Sequence, residues 1–191
     1  MKILLLGTWD TKKNALELLT KLLGKNNEVF CVDISCLRIN NEKNHILLSS
    51  NIRLDVQEMD RGKATKNIGI ILKDNLLSII DEYNPDIILG IGGAGGTSIL
   101  MEGVMKNNIL FPPFILFTTI WHKIQIGSTN IYTIIIPCLT DLDIVSSFLQ
   151  SEFTKLIKVV DAYGTLFKKS KQKTNKKVYI VTTLGSLHSG V

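Results

Sequence analysis

The sequence predicts an α/β fold, a mostly parallel open sheet with helices on both faces. Three observations carry that reading. Short runs such as Lys2-Ile3-Leu4-Leu5-Leu6 and Pro85-Asp86-Ile87-Ile88-Leu89 are apolar at successive positions, as in strands buried on both sides. These runs alternate with longer segments whose apolar residues repeat at helical spacing. A glycine run, Gly90-Ile91-Gly92-Gly93-Ala94-Gly95-Gly96-Thr97-Ser98, directly follows one strand and precedes a helical pattern. Strand, glycine loop and helix in that order give a Rossmann-like arrangement, whose ligands bind beyond the carboxyl ends of the strands.

The elements follow in order. Lys2 to Leu6 is the first strand. Thr11 to Leu23 repeats Ala15, Leu18, Leu19 and Leu22 as one helix face, and Gly24 is placed to end it. Glu28 to Asp33 is the second strand. The polar stretch from Arg38 to Asp55 has little periodicity and reads as a loop or short irregular helix. Asp60 is an N-cap candidate for a long helix marked by Ala64, Ile68, Ile71, Leu72, Leu76, Ile79 and Ile80. Asp86 to Leu89 is the third strand, Ile99 to Met105 a helix, Phe114 to Phe117 the fourth strand and Ile131 to Ile136 the fifth. A helix from Asp141 to about Phe167 carries Ile144, Phe148, Phe153, Leu156, Ile157 and Val160. Residues 1–167 thus make one domain, 168–177 a lysine-rich linker, and 178–191 the first strand of a second domain cut short.

The bulk numbers suit one α/β domain of ordinary size: 191 residues, 45% hydrophobic and 20% charged. The net charge of +5 is unevenly placed, because Lys168, Lys169, Lys171, Lys173, Lys176 and Lys177 fall in one short stretch and the rest is close to neutral. A solvated linker accounts for them better than a nucleic-acid face, which spreads its basic residues over a docking surface. Cys31, Cys36 and Cys138 have no metal-ligand spacing and no disulfide framework, which fits a reducing, cytoplasmic compartment. The amino terminus is too short for a signal segment, and no apolar run approaches the length of a transmembrane helix.

The chemistry is concentrated in three loops. Glycine permits positive φ and removes side chains that would block a phosphate, while the N–H groups of a helix's first turn point at an anion. Gly92, Gly93, Gly95, Gly96 and Thr97 are therefore candidates to wrap phosphates. Gly90, Gly92 and Gly95 match the dinucleotide spacing G-x-G-x-x-G, but the next strand ends without the acid that would hold a ribose. The phosphate-loop pattern fails at its lysine, where Gly96 stands. The alternative is a tight strand-to-helix turn with no ligand. Gly7-Thr8-Trp9-Asp10-Thr11-Lys12-Lys13 offers hydroxyls at Thr8 and Thr11, a carboxylate at Asp10 that suits Mg2+, and a cation at Lys12; simple helix capping is its competing reading. Arg61, in Asp60-Arg61-Gly62-Lys63-Ala64, stands at a helix start where a cation is unfavourable unless a phosphate, or a carboxylate such as Asp10, Asp33 or Glu58, is near. Thr118 joins these loops at the same rim. Trp9 reads either as a base-stacking ring or as partial core. No nucleophile elbow, zinc signature or paired-carboxylate motif is present, and no catalytic residue is assigned.

Taken together, Gly7-Thr-x-Asp-Thr-Lys12, Asp60-Arg-Gly-x-Ala64 and Gly90-x-Gly-Gly-x-Gly-Gly-Thr97 resemble the family of the tomato mosaic virus resistance protein over roughly Met1 to Phe167. The chain departs from that pattern at Thr118-Thr119-Ile120-Trp121-His122-Lys123 and at Asp141-Leu142-Asp143-Ile144-Val145-Ser146. The resemblance implies an amino-terminal α/β domain that binds ATP, with or without Mg2+, followed by a second domain. Two other functions compete with nucleotide binding. One is the anion-binding half of a two-domain enzyme acting on a phosphorylated or acidic metabolite. The other is a protein-interaction module, for which homo-oligomerisation is left open.

Overall fold

In the computed structural model, which describes residues 1–36, 45–47, 60–107, 109, 111–124 and 132–173, the chain forms an open, all-parallel sheet. Its strands are β1 (Lys2–Gly7), β2 (Glu28–Asp33), β3 (His45–Leu47), β4 (Ile87–Gly92), β5 (Phe114–Thr118) and β6 (Thr133–Pro137). They are arranged β3-β2-β1-β4-β5-β6. The chain moves outward in one direction from β1 and in the other from β4. The crevice between these two strands is the topological switch point at which such sheets bind ligands.

Alternation along the strands builds two cores. Ile3, Leu5, Ile87, Leu89 and Ile115 face α1 (Trp9–Leu23) and α4 (Ser147–Lys173), where Leu16, Leu19, Phe153 and Leu156 meet them. Leu4, Leu6, Ile88, Phe114 and Leu116 face α2 (Arg61–Tyr83) and α3 (Ala94–Leu100), which continues as a π-helical turn, Met101–Met105. Helices on both faces of a parallel sheet are what the uniformly apolar strands require.

Several boundaries differ from the sequence-based expectation. His45–Leu47 is a strand, pairing Cys31 with His45 and Asp33 with Leu47, inside a stretch expected to be irregular. Three residues at a sheet edge give too short a pattern to register as periodicity. The strand β4 runs on through Gly90 and Gly92, and the helix begins at Ala94, so most of the glycine run is regular structure. None of the described glycines has positive φ, so the run does not serve left-handed conformation. Close approach explains it. A Cβ on Gly92 would fall 2.9 Å from the carbonyl carbon of Gly96, and one on Gly90 would fall 2.9 Å from the ring of Phe114. The last helix starts later than expected, at Ser147, and extends through Lys168 and Lys169 to Lys173. The rest of the lysine-rich stretch and the expected second-domain strand, residues 178–191, lie outside the described residues. No helix among the described residues is long and apolar enough to cross a membrane.

Candidate functional site

Two helix starts flank the switch point, and they are wired differently. At α1, Thr8 is the N-cap. The Trp9 amide donates to Asp33 Oδ1 at 3.4 Å and the Asp10 amide to Ser35 Oγ at 3.0 Å. The Thr11 and Lys12 amides both donate to the Thr8 carbonyl, at 3.3 and 2.9 Å. Its first-turn donors are therefore occupied by the protein. Asp33, at the end of β2 and 7% exposed, is the hub of this arrangement, also accepting the Ser35 amide at 2.9 Å and the Ser35 hydroxyl. Burial pushes its carboxyl above the usual value, against the lowering effect of the Ser35 and Trp9 hydrogen bonds, and the neighbouring Asp10 adds to the rise.

At α3 the first helical bond is Thr97 N–H to the Gly93 carbonyl, 2.9 Å. The amides of Ala94, Gly95 and Gly96 donate to no acceptor among the described residues. These are the orphan donors of a helix start, the kind of group that an anion can meet. A cavity of about 550 Å³ lies over them, lined by Thr8, Asp10, Thr11, Lys12, Arg61, Gly93, Gly95 and Gly96, with Cys36, Ala64, Thr65, Ala94, Ile99 and Asp143. A Cβ on Gly95 would have nothing within 4 Å, so that position opens straight into the cavity.

Of the residues the sequence singled out, Gly92, Thr97 and Thr118 sit behind this surface. Thr97 and Thr118 are both fully buried, and their hydroxyls bond to each other at 2.6 Å. Thr118 Oγ1 also accepts the Ile120 amide at 3.1 Å. That pair fixes the start of α3 to the end of β5. Trp9, 2% exposed, belongs to the core and not to a stacking surface. Asp60 precedes α2 as expected, yet its side chain makes no capping bond. Glu58 lies outside the described residues.

Two cations border the cavity. Lys12 stands beside Gly93, whose added Cβ would be 4.0 Å from Lys12 Nζ. Its ammonium is held by Asp143 and, at 3.5 Å, by Asp141. The Asp143 amide, and then Lys12, hold the Asp141 carboxyl below the usual range. Arg61, exposed in the first turn of α2, forms no ion pair with any described carboxylate. Cys36 lines the same space, and burial pushes its thiol up despite Thr65 and Arg61, which keeps it protonated and unsuited to nucleophilic attack near neutrality.

Sequence reasoning missed Ser35 and Asp143, and offered Asp33 only as a carboxylate for Arg61, with which it forms no ion pair. Asp33 ended a strand in that reading, and a carboxylate at the carboxyl end of a central parallel strand was the available signal. Asp143 reaches Lys12 across 131 positions of sequence, which no local pattern reveals.

Comparison with known families decides the kinship. The sequence model described as the N-terminal domain of the uncharacterised protein family UPF0261 matches residues 1–155. The chain belongs to UPF0261. This corrects the resemblance to the tomato mosaic virus resistance protein family: the motifs that suggested it lie wholly within the UPF0261 match. No curated protein matches the chain. Among solved structures, the crystal structure of SsfS6, a glycosyltransferase of Streptomyces sp. SF2575, is similar at 15% identity and TM-score 0.35. That similarity covers 62% of this chain and only 39% of that one, and it bears on no activity of this UPF0261 domain.

Proposed function

We propose that this UPF0261 domain binds a phosphorylated small molecule at the β1/β4 switch point, with a nucleotide, ATP, as the first candidate. The observation that carries the reading is the set of amides at Ala94, Gly95 and Gly96 that donate to no acceptor among the described residues, beneath a cavity that Gly95 leaves open. Amides at a helix start together with the helix dipole favour a polyanion. Lys12 and Arg61 supply the cations that a phosphate ester needs, and a guanidinium can pair with phosphate through two N–H groups. Thr8, Thr11 and Asp10 complete the wall.

The described residues include no group of three or more His, Cys, Asp or Glu side chains suited to a metal ion. Mg2+ would arrive with a nucleotide, coordinated mainly by phosphates and water, with Asp10 and Asp143 as the carboxylates of the lining. Free thiols at Cys31, Cys36 and Cys138 support a reducing, cytoplasmic setting.

A second reading has its own support. The matching family region is an N-terminal domain, and the segments that follow β5 and β6 carry exposed Trp121, Leu139, Ile144 and Phe148. An anion site completed by another domain, whose residues act on the bound metabolite, fits both facts. Calorimetric titration of the chain with ATP, with and without Mg2+, tests the main reading. Saturable heat abolished by Gly95→Val supports it. No heat and no thermal shift at millimolar ligand overturns it.

A further inference from the structure

The cavity over α3 does not end at Gly95. A second cavity of about 590 Å³ shares Arg61, Thr65, Ala94 and Gly95 with the first and continues between α2 and α3. Its walls are two helix faces. Arg61 and Thr65 occupy successive turns of α2, while Gly95, Ser98 and Glu102 follow one another along α3 into the π-helical turn. The faces converge at Gly69, where an added Cβ would lie 2.6 Å from Glu102 Cβ. The space is thus a wedge, closed at Gly69 and Glu102 and open at Arg61 and Gly95, roughly 10 Å long at the helical rise per residue.

The hydrogen-bonding character of the wedge differs from that of the phosphate seat. Ser98 spends its proton on the Ala94 carbonyl at 3.0 Å, and Thr65 spends its proton on the Arg61 carbonyl at 2.9 Å. The Ser98 oxygen is left as an acceptor, while the Thr65 hydroxyl also meets the Cys36 thiol. Glu102 uses Oε2 for Lys106 and keeps Oε1. The Glu102 carboxylate and the Ser98 hydroxyl face a space also lined by Arg61 and Lys66, so acceptors for O–H donors stand beside cations for an anion, a combination that suits a ligand carrying both hydroxyls and phosphate.

Resting on the phosphate reading above, we infer that the wedge receives the hydroxyl-bearing part of the ligand, so that the domain selects a polyol phosphate, the chemistry shared by sugar phosphates and ribonucleotides. Glu102 and Ser98 accept from its hydroxyls, and Gly95 lets the phosphate and the polyol pass over one floor. A phosphate ester without hydroxyls fills only the first cavity and loses those bonds.

Calorimetry on the full chain tests this with four probes: orthophosphate, tripolyphosphate, ribose 5-phosphate and ATP, the last paired with 2′,3′-dideoxy-ATP. Ribose 5-phosphate is expected to bind at least tenfold more tightly than orthophosphate if a free sugar phosphate is the source. ATP is expected to exceed both tripolyphosphate and its dideoxy analogue tenfold if a ribonucleotide is the source. Glu102→Gln and Ser98→Ala are expected to erase most of either advantage while leaving orthophosphate or tripolyphosphate affinity unchanged. Equal affinity for hydroxyl-bearing and hydroxyl-free phosphates overturns the inference while the phosphate seat stands. An advantage that survives both substitutions overturns it as well. Failure of all the probes to bind removes the seat and the wedge together.

Discussion

Gly92 and Thr97 touch through main chain: a Cβ on Gly92 would stand 2.5 Å from the Thr97 amide nitrogen. This contact sets the first turn of α3 directly on the end of β4, and it is why the helix starts as early as Ala94. Three residues further along, Gly95 meets nothing within 4 Å. One glycine is required by packing and the other by an empty space.

The two positions should therefore respond oppositely to alanine. Gly92→Ala is expected to cost about 3 kcal/mol, because the opposing atoms are backbone and cannot turn aside. Gly95→Ala adds a better helix former at a helical position with room for it, and is expected to be neutral or to gain up to about 1 kcal/mol. Thermal melts of the two variants check this. Equal destabilisation would mean that the Gly95 position is not open.

Arg61 separates stability from binding. A cation in the first turn of a helix is unfavourable by a few tenths of a kcal/mol when exposed, and no described carboxylate compensates it. Arg61→Gln should leave the melting temperature unchanged or slightly raised. The same variant should weaken ATP roughly tenfold or more through loss of a charge-assisted contact. A fall in stability without a fall in affinity would assign Arg61 a structural role.

Lys12 is held by the two carboxylates that stand beside the seat. Asp143→Asn loosens that hold and removes a like charge facing the ligand. Phosphate or ATP affinity is expected to rise several-fold, and the gain should shrink as salt is raised from low to physiological strength and above. Titration at two ionic strengths reads it, with an unchanged or weakened affinity counting against the anion site.

Asp33 gives a pH signature. Its folded-state carboxyl lies above the ordinary value of 3.8 because it is buried. Between the ordinary and the raised value the folded chain holds more protons than the unfolded one. Stability from this group is thus fullest below the ordinary value and is lost as pH rises through the folded one. Asp33→Asn keeps an acceptor for Ser35 and Trp9 but cannot ionise. In denaturant titrations from acid to neutral pH, the variant should gain on the natural chain as pH rises. A constant difference would mean that Asp33 titrates as it does in the unfolded chain.

The fold was legible because uniformly apolar strands such as Ile3 to Leu6 and helix faces such as Ile68 to Ile79 each carry their own period. The site was legible in its parts, since glycines and a cation at helix starts violate local preference. What stayed hidden was which helix start is open. That depends on Asp33 and Ser35 reaching the Trp9 and Asp10 amides, contacts 24 and 25 positions apart that close one start and leave the other. Of the two roles read for the glycines, positive φ does not apply, and the close approach at Gly92 stayed hidden because its crowding comes from the folded neighbourhood and not from the run itself.

A receptor surface made of peptide groups has an evolutionary property of its own. Replacing the side chain at Ala94 or Gly96 leaves the donor in place, so mutation can obstruct this surface but cannot rewrite what it recognises. If the start of α3 holds the proposed anion, a change of ligand preference would have to act at the periphery, on charge at Lys12 and Arg61 and on bulk at Gly95, while the peptide donors persist.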